Sequence, residues 1–125
     1  MKNALVIDDE QGIRDLMGFL LKPMGFQVST AIDGVEGVTA AGAGSYDVIF
    51  LDIHMPRLNG IEALKLIKKT NPGQKVILFS SCSDPDFAYE SEAEKYGAAS
   101  LLYKPFDMDE LSKAIEITIR GQAGE

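Results

Sequence analysis

The chain alternates short apolar runs with longer segments of helical periodicity, and this alternation restricts the folds it can adopt. Most of these apolar runs are too short for stable helices and too continuous for strands with one face in water, so they predict strands buried on both faces. The run FQVSTA at 26–31 instead alternates like a strand near a sheet edge. Each run is followed by a segment whose apolar residues lie three or four positions apart. The repeated strand–helix order predicts an α/β fold, a doubly wound parallel sheet of five strands, (βα)5.

The bounds of these elements follow from the apolar runs and from the capping and breaker residues between them. The predicted strands are residues 4–7, 26–31, 46–51, 75–79 and 99–103. The predicted helices are residues 11–24, residues 35–43, one from Asn59-Gly60 to about 71–73, one that Ser83 or Asp84 caps and Gly97 ends, and one that Asp107 caps. Glu110 follows Asp107 by three residues, which is a capping-box pattern.

Length and charge narrow the class of protein. The 125 residues fit a single domain, 1–125, with a core of about 3–120 and a flexible tail at 121–125. A net charge of −7 and a pI near 4.6 disfavour binding to nucleic acid or to an anionic membrane, because phosphates repel the chain. Cys82 is the single cysteine, so no intramolecular disulfide is expected. With no signal-peptide pattern and no apolar stretch near the ~20 residues of a membrane helix, we expect a cytoplasmic protein.

Polar residues stand where the predicted strands end. Asp8 and Asp9 follow the first strand, and Asp52 ends the third. Ser80 follows the fourth strand, and Lys104 follows the fifth. In an open α/β sheet, ligands bind outside the carboxyl ends of the strands. We therefore expect these side chains to converge at one edge of the sheet.

These residue types together favour phosphoryl transfer. Carboxylates that lie close together repel one another, and an oxygen-liganded Mg²⁺ offsets that repulsion. A lysine supplies a compact positive charge for a phosphoryl oxygen, and a serine hydroxyl supplies a donor. A carboxylate beside Mg²⁺ and lysine can attack phosphorus to form an acyl phosphate. Acids after a strand can also simply cap the next helix, so the prediction depends on finding all these residues together.

The motifs at the strand ends resemble those of a known family. They are Asp8-Asp9, LDIHMPRLNG around Asp52, Ser80 after VILF, and Lys104-Pro105-Phe106, with Gly25-Phe26, AIDGVEG at 31–37 and Gly97-Ala98. Together they resemble the receiver domain of two-component response regulators, single-domain chemotaxis regulators among them. The resemblance spans about residues 3–120 and implies a flavodoxin-like strand order, 2-1-3-4-5.

The resemblance also implies a Mg²⁺ cofactor and a set of ligands for it. Asp9 would be the main side-chain ligand of the metal, and Asp52 would be a second. Asp8 would help directly or through a water molecule. Family members use in addition a backbone carbonyl two residues past the phosphoacceptor, which in this chain belongs to His54.

The same resemblance assigns the phosphoryl chemistry. Asp52 would be the phosphoacceptor, and Lys104 would contact the phosphoryl group. Ser80 would swing toward the phosphoryl group and report its presence, although Ser81 is a second candidate for this switch hydroxyl. Pro105 resembles the family's cis-bonded proline, which would aim the lysine.

Two positions depart from the family pattern. Many receivers carry an aromatic residue three positions before the lysine, and it changes rotamer as the hydroxyl moves; here that position is Leu101. Tyr103 lies on the same strand face as Leu101, so either Tyr103 takes over part of the role or the aromatic switch is absent. His54 is bulky and stands at the mouth of the pocket, so it leaves the lifetime of the acyl phosphate open.

The family implies partners of two kinds. A histidine kinase or a histidine phosphotransfer protein would donate the phosphoryl group. A downstream protein or a covalently linked output domain would respond to the face formed by the fourth helix, fifth strand and fifth helix. The domain would be a monomer or a phosphorylation-dependent dimer, and it would catalyse only its own phosphorylation and dephosphorylation.

Three alternatives compete with this interpretation. A pseudo-receiver that only docks a partner is one, although such proteins usually lack one of the acids or the lysine. An aspartyl-phosphate hydrolase of the haloacid dehalogenase type is another, but it usually needs a second acid at the position of His54. A flavodoxin-like cofactor binder shares the fold class, but acids at the strand ends would repel a flavin phosphate.

Overall fold

The sheet has five parallel strands in the order 2-1-3-4-5, as the resemblance implied. The computed structural model describes residues 2–55, 57–81 and 87–123, and the side chains of residues 2–55, 57–80 and 91–119. The strands are β1 (Lys2–Ile7), β2 (Phe26–Ala31), β3 (Val48–Asp52), β4 (Val76–Ser81) and β5 (Ser100–Lys104).

Helices connect these strands in the predicted alternation. They are α1 (Gln11–Leu21), α2 (Gly34–Ala43), α3 (Gly60–Thr70), α4 (Phe87–Lys95) and α5 (Met108–Ala123). The backbone of residues 121–123 continues α5, where the sequence predicted a flexible tail. The cap predicted at Ser83 or Asp84 lies outside the described residues.

Capping residues account for the start of two helices. The Asp107 carboxylate accepts a hydrogen bond from the Glu110 backbone N–H at 2.8 Å, and the Glu110 side chain accepts one from the Asp107 N–H at 3.1 Å. This reciprocal pair confirms the capping box at the start of α5. The Asn59 side chain accepts a hydrogen bond from the backbone N–H of Glu62 at 3.0 Å and so caps α3.

The end of the first helix differs from the prediction. The periodicity extends to Met24, but the α-helix ends at Leu21 and a 3₁₀ helix continues over Lys22–Met24. Pro23 lies in this segment, and a proline lacks the N–H that an α-helical hydrogen bond requires. Gly25 then adopts φ of +91°, a left-handed conformation that glycine accepts without a Cβ clash.

The sheet separates two apolar cores. Side chains such as Leu5 and Leu51 point to the core under α2, α3 and α4. Val6 and Phe50, their neighbours along the strands, point to the core under α1 and α5. Because successive strand residues alternate between faces, these continuous apolar runs fill both cores at once. The sheet is therefore doubly wound, as predicted.

The register brings the carboxyl ends of four strands to one edge. Ile7 pairs with Leu51, Asp52 with Phe79, and Ser81 with Lys104. Strands β3, β4 and β5 each end one or two residues later than predicted, so Asp52, Ser80 and Lys104 lie within strands rather than just beyond them. Among the described residues, no helix has the length and apolar character needed to cross a membrane.

Candidate functional site

Asp52 is the centre of the site at this edge. It is the last residue of β3, which is buried along its whole length, and Asp52 itself is only 2% exposed. Its Oδ1 accepts a hydrogen bond from the His54 backbone N–H at 3.2 Å. The following chain turns back tightly, because the Gly60 N–H donates to the Ile53 carbonyl at 2.9 Å. The carboxylate is thus held on a fixed strand rather than on a loose loop.

Gly60 allows this tight turn. A Cβ atom built on Gly60 would lie 2.3 Å from the Asp52 carbonyl oxygen and 2.6 Å from the Ile53 Cα atom. Both neighbours are backbone atoms, so neither can move aside without displacing the phosphoacceptor candidate itself. A glycine is required here because of close backbone approach, and the start of α3 is packed directly on the end of β3.

Asp8 and Asp9 bring two further carboxylates to Asp52. Asp8 follows β1 and is fully buried, whereas Asp9 is exposed. One carboxylate oxygen of each of the three acids lies within 4.8 Å of the others. The three predicted acids therefore do converge.

Lys104 places a positive charge among these acids. Its Nζ lies 3.0 Å from Asp8 Oδ2 and 3.5 Å from Asp52 Oδ1. It also lies 3.5 Å from Oε1 of Glu10. The Lys104 side chain is only 16% exposed, so these contacts are shielded from water more than surface ion pairs are. The peptide bond that joins Lys104 to Pro105 is cis, as the resemblance implied.

The pKa values of the acids reflect their burial. Burial and, second to it, the negative charge of Asp8 raise the pKa of Asp52 to about 6, because the positive charge of Lys104 and the hydrogen bond from the His54 N–H lower it by less. Burial also raises the pKa of Asp8 above its ordinary value of 3.8. Ionisation of such a carboxylate is unfavourable in the folded state, so a cation that binds beside it stabilises the ionised form.

Lys104 shows the opposite balance. Its burial lowers the pKa, but the hydrogen bond to Asp8 and the charges of Asp52, Asp8 and Glu10 outweigh that effect. The pKa of Lys104 is therefore raised above its ordinary value. The lysine is fully charged at neutral pH and can neutralise an anionic group beside Asp52.

The donor set fits Mg²⁺. The described cluster offers only carboxylate oxygens, and oxygen is the ligand that Mg²⁺ requires. Because Mg²⁺ retains several waters, two or three protein oxygens suffice to bind it. The His54 backbone is hydrogen-bonded to Asp52, which places it next to the acids. The assignment of its carbonyl as a further ligand stays a prediction.

Ser80 carries a buried hydroxyl that has no hydrogen-bond partner among the described residues. It lies in β4, is 0% exposed, and its Oγ makes no hydrogen bond to any residue that the structure describes. A buried hydroxyl is normally paired, so this one has unused hydrogen-bonding capacity. The side chain of Ser81, the second candidate for the switch hydroxyl, lies outside the described residues.

Two contacts of the site were missed by sequence reasoning. Glu10 contacts Lys104, and a signal for it existed, because it extends the acidic run Asp8-Asp9. Arg14 donates a hydrogen bond from Nη1 to the Asp8 backbone oxygen at 2.8 Å. A helical arginine six residues past an acid carries no comparable sequence signal.

Comparison with known proteins identifies the family. The family model of the response regulator receiver domain matches residues 4–116. The chain belongs to this family. It is accordingly a signalling domain of the two-component type, and its acids and lysine stand at the strand ends that the receiver motifs specify.

Curated relatives of this receiver domain include one of similar length and several that are much longer. Sporulation initiation phosphotransferase F of Bacillus subtilis (strain 168) is 31% identical over 115 residues, which are 92% of this chain and 91% of that protein. The transcriptional regulatory protein FixJ of Bradyrhizobium diazoefficiens is 36% identical over 115 residues, 92% of this chain but 55% of that protein. The chain spans about half the length of several such relatives.

Solved structures share the same fold. A response regulator receiver domain protein from Clostridium thermocellum superposes with a TM-score of 0.88 at 35% identity and covers 98% of both chains. The response regulator TrrA from Thermotoga maritima, solved in complex with Mg²⁺ and BeF, superposes with a TM-score of 0.82 at 32% identity. That alignment covers 93% of this chain and 97% of TrrA.

The two candidate switch positions of β5 lie on the side of the strand that faces α4. Leu101 packs against the core under α2, α3 and α4, and Tyr103 lies two residues on along the same strand. Both line a groove of about 340 Å³ between β5 and the end of α4. Tyr103 pairs in register with Ser80 of β4. The two candidate switch positions therefore lie on one surface, next to the strand that carries the buried hydroxyl.

Proposed function

We propose that this receiver domain accepts a phosphoryl group on Asp52 from a phosphohistidine of a sensor kinase or phosphotransfer protein. One observation carries the proposal. The buried Asp52 carboxylate lies 3.5 Å from the Lys104 ammonium and within 4.8 Å of the carboxylate oxygens of Asp8 and Asp9. This arrangement offers a nucleophile, a fixed cation and further metal ligands at one point, which phosphoryl transfer requires.

The proposed reaction is a displacement at phosphorus. An Asp52 oxygen forms a bond to the phosphorus, and the bond from phosphorus to the donor imidazole nitrogen breaks. The bonding electron pair stays on that nitrogen, which a proton then neutralises. Hydrolysis removes the phosphoryl group: a water oxygen bonds to phosphorus, the bond from phosphorus to the Asp52 oxygen breaks with its electron pair left on the carboxylate, and the water loses a proton to solvent as inorganic phosphate leaves. The domain would be a signalling phosphoacceptor that catalyses only these two reactions on itself.

The residues around Asp52 supply charge neutralisation and positioning. Mg²⁺, held by Asp9, Asp52, Asp8 and the His54 carbonyl, would supply positive charge to the phosphoryl oxygens. Lys104 neutralises a further oxygen, and its position is prepared by the contacts it already makes with Asp8 and Asp52. The Asp52 carboxylate attacks in its ionised form. Without a bound cation its pKa is raised to about 6, and Mg²⁺ together with Lys104 would favour ionisation.

We propose that the signal is a population shift between two conformations. The Ser80 hydroxyl, which has unused hydrogen-bonding capacity, would donate to a phosphoryl oxygen. Its movement would alter the adjacent β5 surface at Leu101 and Tyr103, and with it the face formed by α4, β5 and α5. A phosphoryl group can bias only conformations that it binds differently. A downstream protein or linked output domain would read this face, in the cytoplasm where such phosphodonors act.

The test is direct phosphorylation with a small donor. The protein is incubated with Mg²⁺ and acetyl phosphate, and its intact mass is measured. We expect one added phosphoryl group in the wild type, and none in Asp52→Asn or in a sample freed of metal. Asp47→Asn is the matched control, because it removes a carboxylate at the other end of β3 and should leave the adduct unchanged.

Three other results would count against the proposal. An adduct in Asp52→Asn would place the acceptor elsewhere. Absence of Mg²⁺ binding together with absence of any adduct, even with beryllofluoride as a stable mimic, would favour a docking module. Sustained turnover of phosphate monoesters would favour a hydrolase.

A further inference from the structure

The loop between β1 and α1 holds its two acids in different ways. The Asp8 N–H donates to the Ala31 carbonyl at 3.2 Å, and its carboxylate accepts from the Glu10 N–H at 2.9 Å and contacts Lys104 at 3.0 Å. Asp9 is exposed, and no hydrogen bond or ion pair of its carboxylate is present among the described residues. The direction of the Asp9 side chain therefore depends on the backbone that carries it.

Arg14 holds that backbone. Its Nη1 donates a hydrogen bond to the Asp8 carbonyl oxygen at 2.8 Å. This oxygen belongs to the peptide group that joins Asp8 to Asp9, and a peptide group is planar. Holding this oxygen in place therefore fixes the orientation of the peptide plane, and the Cα atom of Asp9 lies in that plane.

The helix geometry explains why Arg14 can make this contact. Arg14 lies in the first turns of α1, and helical side chains tilt toward the amino end of their helix. The long side chain thus reaches back across the start of α1 to the loop that precedes it. The guanidinium also presents several N–H donors in a rigid plane, so one donor can hold the carbonyl while others face solvent.

We propose that Arg14 is a positioning residue that orients Asp9 as a Mg²⁺ ligand through the Asp8–Asp9 peptide. The inference rests on the metal site of the proposed function. It names a role for a residue that touches neither the phosphoryl group nor the metal.

The charge of Arg14 makes the proposal sharply testable. A guanidinium near a cation site repels the incoming Mg²⁺, so removing it should strengthen binding if charge were its only effect. Removing a positioning residue should weaken binding instead. The sign of the change in affinity therefore separates the two roles.

The experiment measures Mg²⁺ affinity by isothermal titration calorimetry for the wild type and three variants. Arg14→Ala should bind Mg²⁺ about 10-fold more weakly, the size of effect seen when partners that orient metal ligands are lost. Arg14→Lys keeps a charged donor but loses the planar guanidinium, so its Mg²⁺ affinity should lie between those of the wild type and Arg14→Ala. Lys22→Ala is the matched control, because Lys22 and Arg14 both line a groove between α1 and β2. Loss of the Lys22 charge should leave Mg²⁺ affinity unchanged or slightly higher.

Thermal unfolding of each variant without metal separates positioning from loss of structure. We expect Arg14→Ala to unfold within a few degrees of the wild type; if it does not fold, Arg14→Met, which keeps an unbranched side chain but has no side-chain N–H donor, replaces it. Equal or tighter Mg²⁺ binding by folded Arg14→Ala would overturn the inference while leaving phosphorylation of Asp52 intact. Failure of the wild type to bind Mg²⁺ would overturn the metal site itself, and the inference with it.

Discussion

Strands β3 and β5 both end in a residue of the site, but they are packed differently. Every residue of β3, including Asp52, is buried. In β5 only Leu102 is buried, and the other residues, including Lys104, are partly exposed. Of the α4 side chains that the structure describes, only Ala93 is buried.

The two strands therefore suit different roles in the proposed function, β3 in holding Asp52 fixed and β5 in changing its surface. Asp52, the proposed nucleophile, is carried by a strand whose residues are all buried, where local opening costs nearly the full free energy of unfolding. The lysine and the groove at Leu101 and Tyr103 lie where fewer contacts must be broken to move. A domain that must hold a reaction centre and yet change its surface benefits from placing the two on different strands.

The largest change in stability is expected when one leucine from each strand is truncated. Leu51→Ala in β3 should lower the free energy of unfolding by about 3–4 kcal/mol, because it opens a cavity in a closed core. Leu101→Ala in β5 should lower it by only about 1–2 kcal/mol, because its site is partly open to water. Urea unfolding followed by far-UV circular dichroism measures both. Equal losses in the free energy of unfolding would show that β3 and β5 do not differ in packing as described.

A second comparison uses two glycines. Gly60→Ala forces a Cβ atom against the Asp52 and Ile53 backbone, and should cost about 3 kcal/mol and reduce phosphorylation. Gly97, at the turn after α4, has φ of +88°, and its nearest neighbour is the flexible end of Lys68. Gly97→Ala should cost about 1–2 kcal/mol, the price of a left-handed residue, and should leave phosphorylation unchanged. Chemical unfolding measures the loss of stability in both variants, and intact mass after acetyl phosphate measures their phosphorylation. A phosphorylation defect in Gly97→Ala would contradict the different roles of the two regions.

The raised pKa of Asp52 predicts a stabilising substitution. Folding raises this pKa from 3.8 to about 6, so the folded state binds the proton more tightly, and stability is lost as pH rises through this window. Asn is neutral, so Asp52→Asn without divalent cation should be more stable by about 1–2 kcal/mol at pH 7.5, less than the full shift implies because solvent screens part of it.

The advantage of Asp52→Asn should shrink as pH falls through 6, because the wild-type carboxyl then takes up its proton. Urea unfolding in the presence of a chelator at about pH 7.5 and 5.5 measures the trend. A variant less stable than the wild type at the higher pH would show that ionised Asp52 is not costly in the fold.

The smallest expected effect concerns Ser80. Its hydroxyl is buried without a described hydrogen bond, so Ser80→Ala should change the free energy of unfolding by less than about 0.5 kcal/mol. The variant should instead lose part of the thermal stabilisation that Mg²⁺ with beryllofluoride gives the wild type. Differential scanning calorimetry with and without the mimic compares the two. An undiminished response would remove Ser80 as the reporting hydroxyl and leave Ser81 as the remaining candidate.

Much of the fold was predictable because it depends on patterns between residues close together in the sequence. Apolar runs, helix periodicity and the Asp107–Glu110 capping pattern all act within a few residues, and β2 and the start of α1 were predicted to the residue. Element ends were less predictable where neighbours decide them. Strand β3 reaches Asp52 because β4 is there to pair with it, through Asp52 and Phe79.

The order of strands and polar residues along the chain is enough to predict which residues meet, since parallel strands bring Asp8, Asp9, Asp52 and Lys104 to one edge of the sheet. How these residues interact depends on the packing of separate elements. The pKa of Asp52 depends on burial by neighbouring strands, and the contacts of Glu10 and Arg14 depend on how α1 returns over the sheet. Periodicity is a property of the chain, whereas desolvation and distance between carboxylates arise only when separate elements pack together.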